Sequence, residues 1–208
     1  MQNHLSFTHN YLPAPNGAGA DTLLLLHGTG GDEHDLLPLG RLLDPKANLL
    51  SPRGNVLENG RPRFFKRLAE GIFDVPDLIA QAQALSEFVS GAAQAYGFDP
   101  ARVTAAGFSN GANIAAALLL LHPGVLRAAI LLHPMVPLVP EVLPNLAGTA
   151  VFLGAGRRDP IASEEETERL AALLRQSGAD VTLAWQPGGH ALTQKEADAA
   201  AFWLKEQA

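Results

Sequence analysis

The segment from Arg102 to Leu121 constrains the fold of this chain more than any other stretch, and it reads RVTAAGFSNGANIAAALLLL. Val103 to Ala106 is a short apolar run, the turn GFSNG follows directly, and Ala112 to Leu121 contains strong helix formers. The pattern predicts a strand, a sharp turn and a helix. In a G-x-S-x-G turn the glycines let strand and helix approach closely, and Ser109 would sit at a strained position with its hydroxyl exposed. Such a serine is placed to attack a carbonyl carbon; the structural alternative is an N-cap serine that starts a core helix.

The composition fits one domain that binds a small molecule. The chain has 208 residues, 47% of them hydrophobic, and no linker or run of charges divides it. Its net charge of -6 and the lack of basic runs argue against nucleic acid or an anionic membrane as a partner. We therefore expect a small neutral or weakly charged substrate, and a homodimer stays open.

The absence of cysteine narrows the chemistry to oxygen nucleophiles. No disulfide, thiol nucleophile or cysteine metal site can form. The first residues, MQNHLSFTHNYLP, lack the basic and apolar parts of a signal peptide, and the longest apolar run, Ile114 to Leu121, is too short to span a bilayer. We expect a cytoplasmic protein.

Apolar runs and helical patterns alternate along the chain. Strands are predicted at Thr22 to Leu26, Ala47 to Leu50, Val103 to Ala106, Ala128 to Leu132, Thr149 to Leu153 and Val181 to Trp185, with Leu5 to Leu12 as an edge strand. This alternation predicts a mostly parallel, doubly wound α/β sheet of about seven strands, which binds its ligand at the carboxyl ends of the strands.

Helix ends are marked by capping residues. Asp32 is the predicted N-cap of a first helix, Gly97 ends a long second one, and Ser163 and Thr193 each begin an S/T-x-x-E capping box. The apolar residues from Asn55 to Asp74 show no clear helical or strand period, so we predict a loop there.

Two further residues could activate the serine. A serine hydroxyl needs an imidazole base that a carboxylate holds in one tautomer. His190, after the last predicted strand, is the candidate base, and Asp159, after the preceding strand, is the candidate carboxylate. The alternatives are a surface histidine and a turn aspartate. Asp180 is a second-choice acid, because it begins a strand and belongs at the opposite edge.

The oxyanion of an acyl-transfer intermediate needs N–H donors. We predict the backbone N–H groups of Asn110, directly after the serine, and of Thr29, in the glycine-rich turn that follows Leu26. His27 is predicted to hold that turn through backbone hydrogen bonds. Asp32 to Asp35 could suggest a metal cluster, but consecutive residues do not converge readily on one ion, so we predict a solvated helix start and no metal.

These motifs resemble those of the carboxylesterase/phospholipase branch of the α/β-hydrolases. The similar segments are LLLLHGTGGDE, SPRG, GFSNGA, AGRRDPI and GGHALT, and the likeness runs from Thr22 to Leu204. The segment SPRGN…NG…RFF is similar to bacterial hydrolases associated with hydroquinone and quinone resistance. The resemblance implies an α/β-hydrolase fold with little or no lid, a Ser109/Asp159/His190 triad in the chain order of these enzymes, Thr29 and Asn110 as oxyanion donors, and no metal or organic cofactor.

The chain departs from the acyl-protein thioesterases of that branch. Those enzymes carry Gln and Gly where this chain has Asn110 and Ala112, which disfavours long-acyl protein substrates. The sequence therefore predicts a serine hydrolase of small esters or thioesters. Two alternatives stay open: a dienelactone-type or C–C bond hydrolase of aromatic ring-cleavage products, and a non-catalytic binding protein on the same fold.

The residues that contact the substrate are predicted less sharply. Arg53 follows a strand and could bind a substrate carboxylate or tie down the loop after it. Phe64, Phe65 and Met135 are candidates for either the pocket or the core. His122 and His133 are predicted to be structural.

Overall fold

A seven-stranded sheet forms the centre of the protein in the computed structural model, which describes residues 5–15, 17 and 19–207. The strands are β1 His9–Leu12, β2 Thr22–Leu26, β3 Asn48–Pro52, β4 Val56–Glu58, β5 Arg61–Arg63, β6 Arg67–Ala69, β7 Ile72–Phe73, β8 Val103–Phe108, β9 Ala128–Leu132, β10 Ala150–Gly156 and β11 Asp180–Gln186. The sheet has the order β1-β3-β2-β8-β9-β10-β11; β1 is antiparallel to β3, and every other neighbouring pair is parallel. The predicted sheet is confirmed.

Five helices cover both faces of the sheet. They are α1 Leu37–Leu43, α2 Val75–Tyr96, α3 Asn110–Leu121, α4 Glu164–Gln176 and α5 Gln194–Glu206, and a short 3-10 helix spans Pro100–Arg102. Alternate side chains of β2 enter two separate cores: Leu24 and Leu26 pack with α2, α3 and α4, whereas Leu23 and Leu25 pack with α1 and α5. This double burial explains why β2 is a continuous run of leucines. None of the described helices combines the length and the apolarity needed to cross a bilayer.

The helix ends agree with the sequence except at α1. Thr193 and Glu196 form a complete capping box, and Gly97 ends α2 with φ 74°. The predicted N-cap Asp32 is wrong. Helix α1 begins five residues later, with Leu36 as its cap and Pro38 in its first turn, where the missing N–H of proline costs nothing. The Asp32 carboxylate instead accepts the N–H of His34 at 2.8 Å.

The predicted loop over residues 55–74 is also wrong, because this segment forms two small antiparallel hairpins. Strand β4 pairs with β5, and β6 pairs with β7. Asn59 and Gly60 link the first pair with φ 52° and 77°, the left-handed values of a two-residue type I′ turn. Residues 133–149, between β9 and β10, contain no helix, so no helical lid is inserted there.

Candidate active site

Ser109 occupies the strained turn between β8 and α3. Its φ of 52° and ψ of -113° are unfavourable for a residue with a side chain, and its N–H donates to Leu132 O at 2.9 Å. A Cβ at Gly107 would overlap the backbone of Gly111, and a Cβ at Gly111 would overlap the carbonyl of Leu26. Both glycines are therefore required for the turn that presents the hydroxyl.

His190 and Asp159 lie next to Ser109 in a continuous hydrogen-bonded line. The Ser109 Oγ is 2.8 Å from His190 Nε2, and His190 Nδ1 is 2.7 Å from Asp159 Oδ2. This arrangement corresponds to a neutral His190 that donates from Nδ1 to the carboxylate and accepts the serine proton at Nε2. The alternative acid, Asp180, begins β11 and lies at the opposite end of the strands.

Asp159 is a buried but fully bonded carboxylate. Its side chain is 1% exposed, and its Oδ1 accepts the N–H groups of Ile161 at 2.8 Å and Ala162 at 3.0 Å. Burial raises the pKa of Asp159, but these two bonds, together with those from His133 and His190, lower it below its ordinary value. The group therefore remains an anion beside His190.

The two predicted oxyanion donors border the same cleft as Ser109. Thr29 and Asn110 both line the cavity at the serine, and within the described part of the chain neither backbone N–H has a hydrogen-bond acceptor. The Asn110 side chain accepts the N–H of Phe64 at 2.8 Å, and Thr29 Oγ1 accepts from Arg63 at 2.6 Å. Both donors are thus fixed by bonds to the segment that carries the hairpins.

His27 holds the glycine-rich turn, as expected. Its Nδ1 donates to Gly28 O at 2.6 Å, and its Nε2 accepts the N–H of Gly54 at 3.0 Å. Burial lowers the pKa of His27, which suits a neutral ring with one donor and one acceptor. The ring thereby ties the turn after β2 to the exit of β3.

The cavity at Ser109 has a volume of about 280 Å³, and its lining is mostly polar. The lining residues are Thr29, Arg61, Arg63, Arg67, Glu70, Gly71, Phe73, Ser109, Asn110, Asn113, His133, Met135, Ile161 and His190. A larger cavity of about 560 Å³ lies at the other end of the strands, beside α1 and α5, and it contains none of the triad candidates.

Of the four candidate substrate contacts, only Met135 lines this cavity. Phe64 and Phe65 are 1% and 0% exposed and belong to the core, because the segment after β5 turns inward beneath the hairpins. Arg53 forms a bidentate ion pair with Glu33, at 2.6 and 2.8 Å, and contacts neither the cavity nor the loop carbonyls after it. The substrate-contact predictions for Phe64 and Phe65 are corrected in favour of the core alternative, and Arg53 has a structural role, through Glu33 rather than through loop carbonyls.

Sequence reasoning missed the arginines of the site and the role of His133. Arg61, Arg63 and Arg67 lie in the two hairpins, and the only sequence signal for them was the Asn59-Gly60 turn, which fixes how β4 and β5 pair. His133 contacts Asp159 directly, with Nδ1 2.8 Å from Oδ2.

Among the described residues, two groups of metal-ligating side chains bring their ligand atoms within 4.8 Å of one another. One is Asp32, Glu33 and His34, so consecutive residues converge here more closely than expected, although Glu33 is neutralised by Arg53. The other is His133, Asp159 and His190, in which each Nδ1 lies at N–H···O distance from the carboxylate. Hydrogen bonds account for the second cluster.

A parallel sheet with a strained serine after a central strand, followed by an aspartate and a histidine after the last two strands, defines the α/β-hydrolase class. The family model described as the dienelactone hydrolase family matches residues 76–207. The chain belongs to this family.

Relatives of known name agree with the class. The chain is 56% identical to the protein of Bacillus subtilis (strain 168) called putative hydrolase MhqD. The alignment extends over 190 residues and covers 91% of this chain and 95% of that protein. The Bacillus cereus carboxylesterase structure superposes with a TM-score of 0.96 at 47% identity over 100% of both chains. A structure of YahD with malic acid superposes with a TM-score of 0.91 at 32% identity, over 96% of this chain and 98% of the YahD chain. The protein is an esterase-type hydrolase.

Proposed function

We propose that this hydrolase cleaves small carboxylic esters, or thioesters, through an acyl-enzyme intermediate on Ser109. The observation that carries the proposal is the unbroken line from Ser109 through His190 to Asp159, with hydrogen-bond distances of 2.8 and 2.7 Å. The N–H groups of Thr29 and Asn110, which have no acceptor among the described residues, border the same cleft. No binding function on this fold would require such a line together with a strained serine.

The geometry supports the following reaction. His190 Nε2 takes the proton from Ser109 as Oγ attacks the ester carbonyl carbon, and the N–H groups of Thr29 and Asn110 stabilise the oxyanion. The intermediate collapses, the bond to the leaving oxygen or sulfur breaks, and His190 gives its proton to the departing group. A water molecule then attacks the acyl-enzyme by the same steps, and this releases the acid and restores Ser109.

A lactone is the second candidate substrate, because the matched family is named after dienelactone hydrolysis. A lactone is a cyclic ester, so the same steps would open its ring. The cavity of about 280 Å³ lies at the lower end of the range for ligand sites, and this favours small substrates of either kind.

Replacing the nucleophile tests the proposal. Ser109→Ala should lower p-nitrophenyl acetate hydrolysis by about 10⁴ or more and abolish labelling by a fluorophosphonate probe, with unchanged circular dichroism. Retention of activity within about tenfold would show that Ser109 is not the nucleophile. A lactone panel measured beside the ester separates the two candidate substrates.

The charge around the cleft supports an anionic substituent on the substrate. Arg63 and Arg67 share Glu58 at 3.6 and 2.9 Å, and Glu70 is the carboxylate that the hairpins add to this lining. Asp159 and Glu196 lie behind the lining, where they are paired with His133 and His190. On the hairpin side of the cavity, the guanidinium groups of Arg61, Arg63 and Arg67 face the carboxylates of Glu58 and Glu70, which leaves one positive charge in excess on that side. Arg61 is exposed, lies over Gly30 and has no carboxylate at salt-bridge distance within the described residues.

We therefore propose that Arg61 binds a carboxylate of the substrate. YahD was solved with malic acid, a dicarboxylic acid, and this relative supports the idea. Arg61→Gln should lower kcat/KM for mono-p-nitrophenyl glutarate by about tenfold and change that for the neutral butyrate less than about twofold. Arg157→Gln is the matched control, since Arg157 stacks on Trp185 outside the cavity. Equal losses for both esters in Arg61→Gln would contradict the assignment.

The same proposal places the enzyme in the cytoplasm, acting on a small dissolved ester without nucleic acid or membrane as a partner. The net charge of -6 supports the part of this proposal that concerns partners, because nucleic acids and anionic membranes would be repelled. Cell fractionation with an antibody against the chain tests the location.

A further inference from the structure

His133, directly after β9, lies between two carboxylates. Its side chain is 0% exposed, its Nδ1 is 2.8 Å from Asp159 Oδ2, and its Nε2 is 3.1 Å from Glu196 Oε1. Glu196 comes from α5 and is itself 0% exposed. The line that starts at Ser109 therefore continues beyond Asp159 through two further buried groups.

The backbone at His133 is strained in a way that aims the ring at Asp159. Its φ is 54°, and among the described residues other than glycine only Asn59 and Ser109 also have positive φ. Such strain persists where the surroundings determine it, and it concentrates at functional sites. The His133 N–H donates to Gly154 O at 2.7 Å, and its ring lies edge-on to that of His190 with centroids 5.2 Å apart.

When Asp159 and Glu196 are both ionised, the contacts of His133 require a proton on each ring nitrogen. A neutral imidazole has one N–H, so its other nitrogen would turn a lone pair toward a carboxylate oxygen. Burial opposes the charge on His133, but the hydrogen bonds to Glu196 and Asp159 outweigh it and raise the pKa of His133 above its ordinary value. The pKa of Asp159 is lowered despite its burial, so the proton belongs to the ring.

We propose that His133 is a positioning residue for the reaction at Ser109: it is an imidazolium, kept protonated by Glu196, that shares Asp159 Oδ2 with His190 and limits the negative charge that His190 faces. This inference rests on the function proposed above for Ser109, His190 and Asp159. Without the cation, His190 would face an uncompensated carboxylate and bind its proton more tightly. A base must be free of its proton at working pH, so the cation favours catalysis.

Other charges surround the two rings. The titratable or charged groups that face them are Asp159 after β10, Glu196 on α5 and Ser109 after β8, and the wall of the cavity adds Arg61, Arg63, Arg67 and Glu70. Within the described residues, only Asp159 and Glu196 hydrogen-bond to the His133 ring, so a change in that ring acts on His190 chiefly through Asp159.

The first test removes the charge of His133 and keeps its donor to Asp159. Asparagine tolerates the left-handed backbone, and its amide can donate to Asp159 as Nδ1 does. In His133→Asn, His190 should take up its proton about one pH unit higher than in the wild type, as measured by NMR titration of the ring. The acidic limb of kcat/KM should move by the same amount. His122→Asn, at the end of α3 and away from this line, should cause no shift.

The second test removes the carboxylate that supports the cation. Glu196→Gln keeps a side chain that can complete the capping box, so the variant should fold. It removes the negative charge beside His133 Nε2, and His133 should therefore lose its proton at lower pH than in the wild type. Thr193→Ala weakens the same cap but keeps the carboxylate, and it should leave the His133 titration unchanged.

The variants remain informative if one of them does not fold. In His133→Asn, the unpaired Glu196 carboxylate could unfold the protein. The double variant His133→Asn with Glu196→Gln then removes both charges. His190 should still take up its proton at higher pH than in the wild type, because His133 is nearer to His190 than Glu196 is. A neutral His133 at pH 7, or a His190 titration within about 0.3 pH unit of the wild type in His133→Asn, would overturn the proposal. The NMR titrations need no turnover, so they decide the role of His133 even if the protein did not hydrolyse esters.

Discussion

Asp159 accepts four hydrogen bonds, and this number determines how the residue acts. Its Oδ1 receives the N–H groups of Ile161 and Ala162, and its Oδ2 receives those of His190 and His133. The two backbone bonds fix the position of the carboxylate. The other oxygen then orients both rings at once, so the charge and the acceptor capacity of this side chain matter more than its size.

Asp159→Asn should therefore disable the proposed triad without disturbing the loop. The amide oxygen can keep the two backbone bonds, while the NH₂ group faces Nδ1 of both His190 and His133. The His190 proton is then forced to Nε2, and this nitrogen can no longer accept from Ser109. Turnover at neutral pH should fall by about 10³ to 10⁴.

The matched control for this prediction is Asp180→Asn. Asp180 is exposed at the amino end of β11, and its removal should change turnover less than about twofold. If the Asp180 variant lost more activity than the Asp159 variant, the acid would be wrongly assigned. Thermal unfolding of both proteins separates a catalytic loss from unfolding.

At the scale of single residues, the sequence predicts the triad candidates better than it predicts their surroundings. Ser109 follows β8 directly, and Asp159 and His190 lie in the turns just after β10 and β11; a parallel sheet brings such positions to one edge whatever packs around them. Arg53 also follows a strand, but its direction depends on Glu33, a partner from a different turn. The sequence predicts a structural His133 and gives no signal of its contacts, since Asp159 and Glu196 are 26 and 63 residues away in the chain.

At the scale of elements, the two hairpins of residues 56–73 build the wall of the cleft. Their strands have two or three residues each, too few for an alternating pattern to be visible in the sequence. The Asn59-Gly60 pair is a strong signal for a type I′ turn, and it could have predicted β4 and β5. It could not have predicted that Phe64 and Phe65 turn into the core, because that depends on the space left by α2 and α3.

The hairpins also connect the wall to the proposed oxyanion hole. Arg63 is 4% exposed, and it donates to Thr29 Oγ1 at 2.6 Å and to Phe65 O at 3.2 Å. The Gly30 N–H donates to Pro62 O at 2.8 Å. The turn that carries the Thr29 N–H is thus held from β5 on one side and by His27 on the other, and a donor held from both sides needs no rearrangement when charge develops.

At the scale of the whole molecule, the site is an open cleft above a rigid sheet. Residues 133–149 form no helix between β9 and β10, and the apolar side chains of the cavity are Phe73, Met135 and Ile161. Three side chains offer a short apolar wall. A long acyl chain would extend past them into water.

This limited wall predicts the dependence on acyl length. Each methylene that becomes buried contributes about 0.8 kcal/mol, or about fourfold in kcat/KM, and a methylene in water contributes nothing. For p-nitrophenyl esters, kcat/KM should peak between acetate and butyrate and decline for longer chains. Without a lid to open, the rate should not jump when the substrate forms micelles.

Met135→Ala should lower the ratio of butyrate to acetate hydrolysis, whereas Val142→Ala, 82% exposed in the same loop, should leave it unchanged. A maximum at octanoate or beyond, or a rate jump with micelles, would mean that the cleft continues into an acyl tunnel, and the Met135 variant would then show whether that tunnel begins beneath its side chain.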